Sequence, residues 1–128
     1  MPSFLRFETN FLSHDNTHLV ASVRTEDIIF VLIKETGGGS LIVTRNSAPL
    51  FMFKTPEVLS AWAVKYLYDS GMKREGDVLV RTEAVLGFRE SRGRGGELYL
   101  QSSIPGERHQ VGLSADTLAN VAVILDRE

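Results

Sequence analysis

The chain has no cysteine among its 128 residues. Disulfide scaffolds, thiolate zinc sites and thiol nucleophiles are therefore excluded. No stretch approaches the roughly 18 consecutive apolar residues of a membrane-spanning helix. Residues 1–6 also lack the basic segment and apolar run of a secretory signal. These absences predict an intracellular, cytoplasmic protein.

A strong positive charge is missing as well, because the formal net charge is −2 at pH 7. This value gives no overall attraction to nucleic acid or to an anionic membrane. Apolar residues at 43% and charged residues at 23% are ordinary globular values and argue against disorder. The positive charges are unevenly placed, however, because the second half of the chain contains Arg74, Arg81, Arg89, Arg92, Arg94 and Arg108.

The chain contains a repeated motif, Val23-Arg24-Thr25-Glu26 and again Val80-Arg81-Thr82-Glu83. Further matches pair Gly38, Gly39 and Leu41 with Gly95, Gly96 and Leu98, and Leu59, Ala63 and Val64 with Leu118, Ala122 and Val123. Self-similarity of this kind is typical of an internal duplication. Units of about sixty residues are marginal alone, so we expect one domain over residues 1–128 with a shared core.

The apolar patterns predict an α+β fold of two tandem ββββα units with antiparallel sheets and pseudo-twofold symmetry. The first unit, residues 1–71, carries an extra N-terminal strand over 4–12, and the second unit covers residues 72–128. The segment 27–35 is so continuously apolar that we expect a central strand covered on both faces. We expect both helices, one from Thr55 to about Asp69 and one capped by Ser114, to pack on one side of the sheet.

Several motifs have plain structural interpretations. The cluster Gly37-Gly38-Gly39-Ser40 precedes a strand and has no lysine after its glycines, which favours a hairpin turn over a phosphate loop. Residues 14–18 contain His14, Asp15 and His18, yet a zinc site needs three or four fixed ligands, so we expect no metal there. His109 is expected on a surface strand. No paired carboxylates, nucleophile elbow or dinucleotide motif is present, so we expect neither an enzyme nor a cofactor.

The best polar candidate is the segment Arg92-Gly93-Arg94-Gly95-Gly96, whose arginines can reach phosphates and stack on bases. Tyr99 alternates with two leucines, which predicts that its ring points to an open sheet face. A solvated hairpin tip, or a tyrosine packed under another subunit, would have the same pattern. The positions expected on the open face of the first unit are Ile42 and Thr44. The candidate nucleic-acid-binding residues are Arg89, Arg92, Arg94, Tyr99 and Arg108.

The order of elements from Gly96-Glu97-Leu98-Tyr99-Leu100 through Gln110-Val111-Gly112-Leu113-Ser114 resembles the Whirly and Pur-alpha group of single-stranded nucleic-acid binders. It is also similar to the transcriptional-coactivator domain that forms the same arrangement by dimerising. The helix entry Leu-Ser-x-x-x-Leu at residues 113–118 adds to this resemblance. The resemblance implies binding of single-stranded DNA or RNA by sheet faces and hairpin loops, and assembly into a homo-oligomer. The acidic charge and the absence of an Arg92/Arg94 counterpart in the first unit depart from that pattern.

We therefore expect a non-enzymatic protein that binds single-stranded DNA or RNA, without a cofactor or a membrane. The alternative is a protein-interaction or self-assembly module that binds no nucleic acid. Its expected surface is apolar and lies in the first unit, at residues 28–33, Ile42 and residues 50–53.

Overall fold

A computed structural model describes residues 4–33, 40–46, 49–51 and 61–128. The chain forms an α+β structure of antiparallel sheets and helices, which confirms the predicted class. The strands are β1 Phe4–Leu12, β2 His18–Arg24, β3 Ile28–Leu32, β4 Leu41–Thr44, β5 Leu50–Phe51, β6 Lys73–Glu75, β7 Val78–Val80, β8 Val85–Ser91, β9 Gly95–Gln101 and β10 Arg108–Leu113. The helices are α1 Ala61–Asp69 and α2 Ala115–Asp126.

The strands form a five-stranded sheet in the order β5-β4-β3-β7-β6, a three-stranded sheet in the order β10-β9-β8, and the hairpin β1-β2. β3 lies in the middle of the largest sheet, between β4 and β7. All five of its residues are buried. The prediction of a central strand covered on both faces is therefore confirmed, although the strand is shorter than residues 27–35.

The two helices lie on opposite faces of the five-stranded sheet. Val31 of β3 shares one apolar cluster with Leu67 of α1 and Phe7 of β1. Leu32, the next residue of β3, shares the other cluster with Val121 of α2 and with the three-stranded sheet. Our prediction that both helices pack on one side is wrong, because a sheet that is apolar on both faces needs a covering layer on each.

The second half has one more strand than the four that its sequence predicts. β6, Lys73–Glu75, lies in the polar link between the two halves and pairs with β7 across a tight turn. Gly76 in that turn has φ 56°, a conformation that glycine adopts without strain. The pattern concealed this strand because it is short and its residues are all charged, as is common at a sheet edge.

The two copies of the repeated motif have the same local geometry. Arg24 ends a strand and Arg81 directly follows one, and each precedes a one-turn 3₁₀ helix, Thr25–Asp27 or Thr82–Ala84. The pairing of the next strand is then irregular at matching places, between Ile28 and Phe30 in β3 and between Val85 and Gly87 in β8. The tandem units and their pseudo-twofold symmetry remain predictions.

The two arginines of the repeat differ in their surroundings. Arg81 is 7% exposed and donates to the carbonyl oxygens of Ile28 at 2.7 Å, Thr25 at 3.2 Å and Ser70 at 3.2 Å. Burial lowers the pKa of its guanidinium. The Arg24 side chain is 53% exposed and only approaches Glu26, at 4.0 Å. One copy of the motif is thus a buried clamp and the other lies at the surface.

The predicted helix ends are found where the structure describes them. Ser114 caps α2 by accepting a hydrogen bond from the Thr117 backbone amide. α1 ends at Asp69, close before Gly71 with φ 109°. The predicted start of α1 at Thr55 and the glycines 37–39 lie outside the described residues. None of the described helices has the length and hydrophobicity needed to cross a membrane.

Candidate nucleic-acid interface

The three-stranded sheet has one buried face and one open polar face. Leu98 and Leu100 of β9 are fully buried, whereas Tyr99 between them is half-buried, as the alternation predicts. Antiparallel pairing sets Arg89 opposite Glu97 and Gln110 opposite Tyr99. Directly opposed residues point to the same side of a sheet, so these four side chains share the open face.

Glu97 is the centre of a polar network on this face. It accepts a hydrogen bond from the Tyr99 hydroxyl at 2.9 Å and an ion-paired hydrogen bond from Arg89 at 3.1 Å. The hydrogen bond from Tyr99 is the main cause that holds the pKa of the Glu97 carboxyl below its usual value, and hydrogen bonds from Gln110 and Arg89 act in the same direction. The network keeps Glu97 ionised and pairs its charge with an arginine.

Arg108 completes the surface from the neighbouring strand. The carbon of its guanidinium lies 4.1 Å from the centroid of the Tyr99 ring. This is a cation–π contact, in which a planar cation lies against an aromatic ring. Arg108 is exposed, so the side of its planar guanidinium that does not contact Tyr99 faces solvent.

Two glycines keep the open face flat around the Arg108 guanidinium and the Tyr99 ring. Gly87 lies opposite Tyr99 on β8, and Gly112 lies opposite Glu97 on β10. A Cβ atom built at either position would meet nothing within 4 Å. The face therefore has no side chain beside Tyr99 on β8 or beside Glu97 on β10, which leaves room for a planar ligand at these two positions.

The remaining candidates, Arg92 and Arg94, lie at the tip of the hairpin between β8 and β9. Both are exposed, and the turn is closed by a hydrogen bond from the Arg94 amide to the Ser91 carbonyl at 3.0 Å. Gly95 follows with φ 85°, and a Cβ there would lie 2.3 Å from the Leu113 carbonyl oxygen, so the hairpin requires glycine. Tyr99 lies four positions after Gly95 along the strand, which is roughly 14 Å at 3.4 Å per residue.

The structure thus brings Arg89, Tyr99 and Arg108 together and leaves Arg92 and Arg94 at one end of the same hairpin. Gln110 is a member of the face that sequence reasoning missed. The alternation of β10, in which residues 108, 110 and 112 face away from Val111 and Leu113, is the signal that identifies it.

The open-face positions predicted for the first unit are wrong. Ile42 is 0% exposed and Thr44 is 1% exposed, because β4 is covered on both faces. Residues 28–32 are also buried and cannot present the apolar surface that the alternative function required. Residues 52–53 of that surface lie outside the described residues.

The histidine-rich segment forms a local turn. The Asp15 carboxylate accepts hydrogen bonds from the Ser13 hydroxyl, and from Thr17 through its hydroxyl at 2.8 Å and its amide at 3.3 Å. These bonds, that from Ser13 first, lower the pKa of Asp15. His18 Nδ1 lies 2.8 Å from the Thr9 carbonyl oxygen. Within the described ranges, no three histidine or acidic side chains group as metal ligands.

His109 lies on the core side of β10, opposite Leu100. It is half-buried, and its Nε2 atom is buried without a hydrogen-bond partner among the described residues. The expectation of a plain surface histidine is therefore only partly met.

Comparison with known proteins adds no relative to this geometry, because no family model, curated protein or solved structure matches the chain.

Proposed function

We propose that the chain is a non-enzymatic binder of single-stranded nucleic acid, and that the open face of β8, β9 and β10 is its binding surface. The observation that carries this proposal is the stack of Arg108 on Tyr99 at 4.1 Å. Unpaired bases stack on aromatic rings and on arginine guanidinium planes, and this stacking tolerates any base sequence. A base lying on the outer side of Arg108 would extend a column that the protein has already built.

Phosphates would be bound at the hairpin tip. Arg92 and Arg94 are exposed there, and within the described part of the chain neither forms an ion pair. A strand that begins over Arg108 and Tyr99 would run about 14 Å along β9 to these cations. This is about the reach of two nucleotides.

The carboxylate on this open face is already paired, which reduces its repulsion of a phosphate. Glu97 accepts bonds from Arg89 and Tyr99, so its charge is balanced within the protein. Among the described residues, Arg92, Arg94 and Arg108 form no ion pair, so their charges remain available to phosphates. We expect affinity that depends strongly on salt, since each phosphate contact releases counterions.

The resemblance to the Whirly and Pur-alpha group and the tandem-unit architecture belong to the same proposal. Two observations support an internal duplication: each repeated motif leads into a one-turn 3₁₀ helix, and β3 and β8 have pairing irregularities at matching positions. In this arrangement both units supply the core, and the second unit also supplies the ligand surface.

The test is fluorescence anisotropy of labelled single-stranded DNA and RNA over a salt series. The variant R92A/R94A/Y99A removes two phosphate contacts and one stacking ring. We expect affinity at low salt to fall about 100-fold, and the slope of log K against log salt to become shallower by about 1.4.

A matched control removes two cations and one tyrosine from elsewhere. Arg6 and Lys73 are exposed, and Tyr68 on α1 is 55% exposed. The variant R6A/K73A/Y68A should bind within about twofold of the parent, because surface substitutions away from a site have small effects. The proposal fails if the parent does not bind at low salt, or if both triple variants lose affinity equally.

The alternative, a protein-interaction module, is favoured by a different observation from the one that the sequence suggested. Apolar side chains are exposed on β2 and β8 rather than on β3 and β4. Leu19 and Val20 are each 49% exposed, Leu86 is 54% exposed and Phe88 is 36% exposed. A protein-interaction module would still bind its partner protein after the arginines of the open face are replaced.

A further inference from the structure

Six strands lie at a sheet edge and have one side that pairs with no described residue, and β2 and β8 are two of them. β2 pairs only with β1, and β8 is the last strand of the three-stranded sheet. Free edges in soluble proteins are usually protected by lysine, proline or a covering segment. β2 and β8 carry exposed apolar side chains, among them Val20 and Phe88, although β8 also carries the exposed charges of Arg89 and Glu90.

The chain contains a template for the missing pairing. β3 follows the first copy of the repeated motif and β7 ends in the second copy, and these strands pair as Phe30 with Val80, Val31 with Leu79 and Leu32 with Val78. β8 follows the second copy of the motif as β3 follows the first, and β2 ends in the first copy as β7 ends in the second. A pairing of β8 with β2 would therefore be the counterpart of the β3-β7 pairing, and the described residues of one chain do not form it.

We propose that two copies of this chain form a symmetric dimer in which β8 of each copy pairs antiparallel with β2 of the other. Carrying the template register to the counterpart positions sets Gly87 opposite Val23, Phe88 opposite Ser22 and Arg89 opposite Ala21. The same register continues to Glu90 opposite Val20. The two junctions are identical, which satisfies the rule that a twofold interface is self-complementary.

The strands match in length and in charge. β2 and β8 have seven residues each, so the register pairs nearly the whole of both edges. No two like charges lie opposite each other at these four positions, and the exposed Phe88 gains a neighbour.

Arg24 supplies a second argument. In the template, Arg81 donates to the carbonyl oxygens of Thr25 and Ile28. The counterpart acceptors for Arg24 are the carbonyl oxygens of Thr82 and Val85 in the second copy. An arginine that is 53% exposed in one chain would then become the same clamp across the junction. The interface goes beyond nucleic-acid binding and does not depend on it.

The absence of cysteine makes a cross-linking test clean. The full-length single variants S22C and F88C, carrying tags of different mass, are mixed under oxidising conditions. A disulfide between them must join two chains. We expect the mixed product to form at least about tenfold faster than with V123C in place of F88C, because an interface raises the effective thiol concentration. Val123 is a matched control, 39% exposed on α2.

Charge substitution tests the register independently of cross-linking. Val20→Glu sets a glutamate opposite Glu90 at both junctions and opposite Glu8 within the chain, whereas V20E/E90K keeps the Glu8 pair and sets opposite charges at the junctions. By sedimentation, we expect the parent and V20E/E90K to have twice the chain mass of 14.2 kDa. V20E should dissociate about tenfold more readily, since directly opposed like charges destabilise a sheet.

Four results would overturn the proposal. The first is a parent that stays monomeric at every concentration. The second is a double variant S22C/F88C that closes rapidly within one chain, which would show that the edges pair intramolecularly. The third is a dimer that V20E and V20E/E90K weaken equally, and the fourth is a V123C mixture that cross-links as fast as the F88C mixture. Circular dichroism of each variant checks that the fold is retained.

Discussion

The two three-stranded meanders of this molecule, β3 to β5 and β8 to β10, have the same strand order and different surroundings. Every described position of β3 and β4 is buried, because the first meander has a layer on each face. β8 is mostly exposed, and β9 has one polar face towards solvent. The comparison teaches that one strand pattern can serve as a core in one half and leave the other half free to bind.

The repeated arginines show the same division at single-residue scale. Arg81 satisfies carbonyl groups at the ends of three elements, whereas Arg24 has one weak ion pair and lies 4.8 Å from the Phe4 ring centroid. Identical flanking residues did not produce identical surroundings. The difference is that β7 has a strand on each side, whereas β2 has a strand only on the side of β1.

The largest expected difference in stability between the two meanders comes from placing a charge at equivalent positions of β3 and β8. Val31 and Phe88 each lie eight residues after the first valine of their motif. Val31 is 0% exposed, so Val31→Lys buries an unpaired ammonium and should cost about 5 kcal/mol or more, enough to prevent folding. Urea unfolding measured with far-UV circular dichroism tests this.

The matched substitution Phe88→Lys should cost less than about 1 kcal/mol within one chain, because lysine can keep its stem on the sheet and its charge in water. Equal losses for V31K and F88K would contradict the distinction between a covered and an open meander.

A second substitution removes the clamp. Arg81→Ala leaves buried acceptors at Ile28, Thr25 and Ser70 and should lower the free energy of unfolding by about 3 kcal/mol. Arg81→Lys should recover only part of this loss, since an ammonium lacks the fork that reaches several carbonyls. Denaturant midpoints at fixed protein concentration measure both variants, and a midpoint for R81A equal to that of the parent would rule out the clamp.

Much of the fold could be predicted from local patterns. The strict alternation of residues 4–12, the apolar run in β3 and the Ser114 cap each specify their element directly. The same alternation placed Tyr99 beside Glu97 on a solvent face. These signals are local, so they survive without knowledge of the tertiary structure.

The layer order could not be read from the same patterns, because it depends on which strands meet across long sequence distances. Local patterns distinguish β3, which is apolar throughout, from β8, which carries Arg89 and Glu90, but they do not identify β7, some fifty residues away, as the partner of β3. Ile42 and Thr44 were therefore placed on an open face that is covered. The Arg108–Tyr99 stack was also hidden, since it joins neighbouring strands through a register that the sequence does not specify.

In the proposed dimer, Arg24 would have the same hydrogen-bonded surroundings as Arg81. If Arg24 is the clamp of the second junction, Arg24→Ala should weaken association about tenfold, since each dimer loses two sets of hydrogen bonds. Its effect on unfolding of the isolated chain should stay below about 0.5 kcal/mol. Sedimentation equilibrium measures the dissociation constant, and Arg6→Ala, an exposed arginine on β1, is the control. A dissociation constant unchanged by R24A would separate the arginine from the junction.

The smallest effect concerns the polar face that the first meander lacks. Tyr99→Phe removes the main cause of the lowered Glu97 pKa, so this carboxyl should titrate closer to its usual value of 4.5. A carboxyl with a depressed folded pKa contributes stability above its unfolded pKa and loses it as pH falls through the folded pKa. The stability advantage of the parent over Y99F should therefore be present at neutral pH and shrink below about pH 4.5. NMR titration of the Glu97 carboxyl carbon measures the shift, and Tyr68→Phe, on the exposed side of α1, is the control. A Glu97 titration that is the same in the parent and in Y99F would mean that the carboxyl is held by Arg89 and Gln110 alone, and Tyr99 would then be free to reorient towards a ligand.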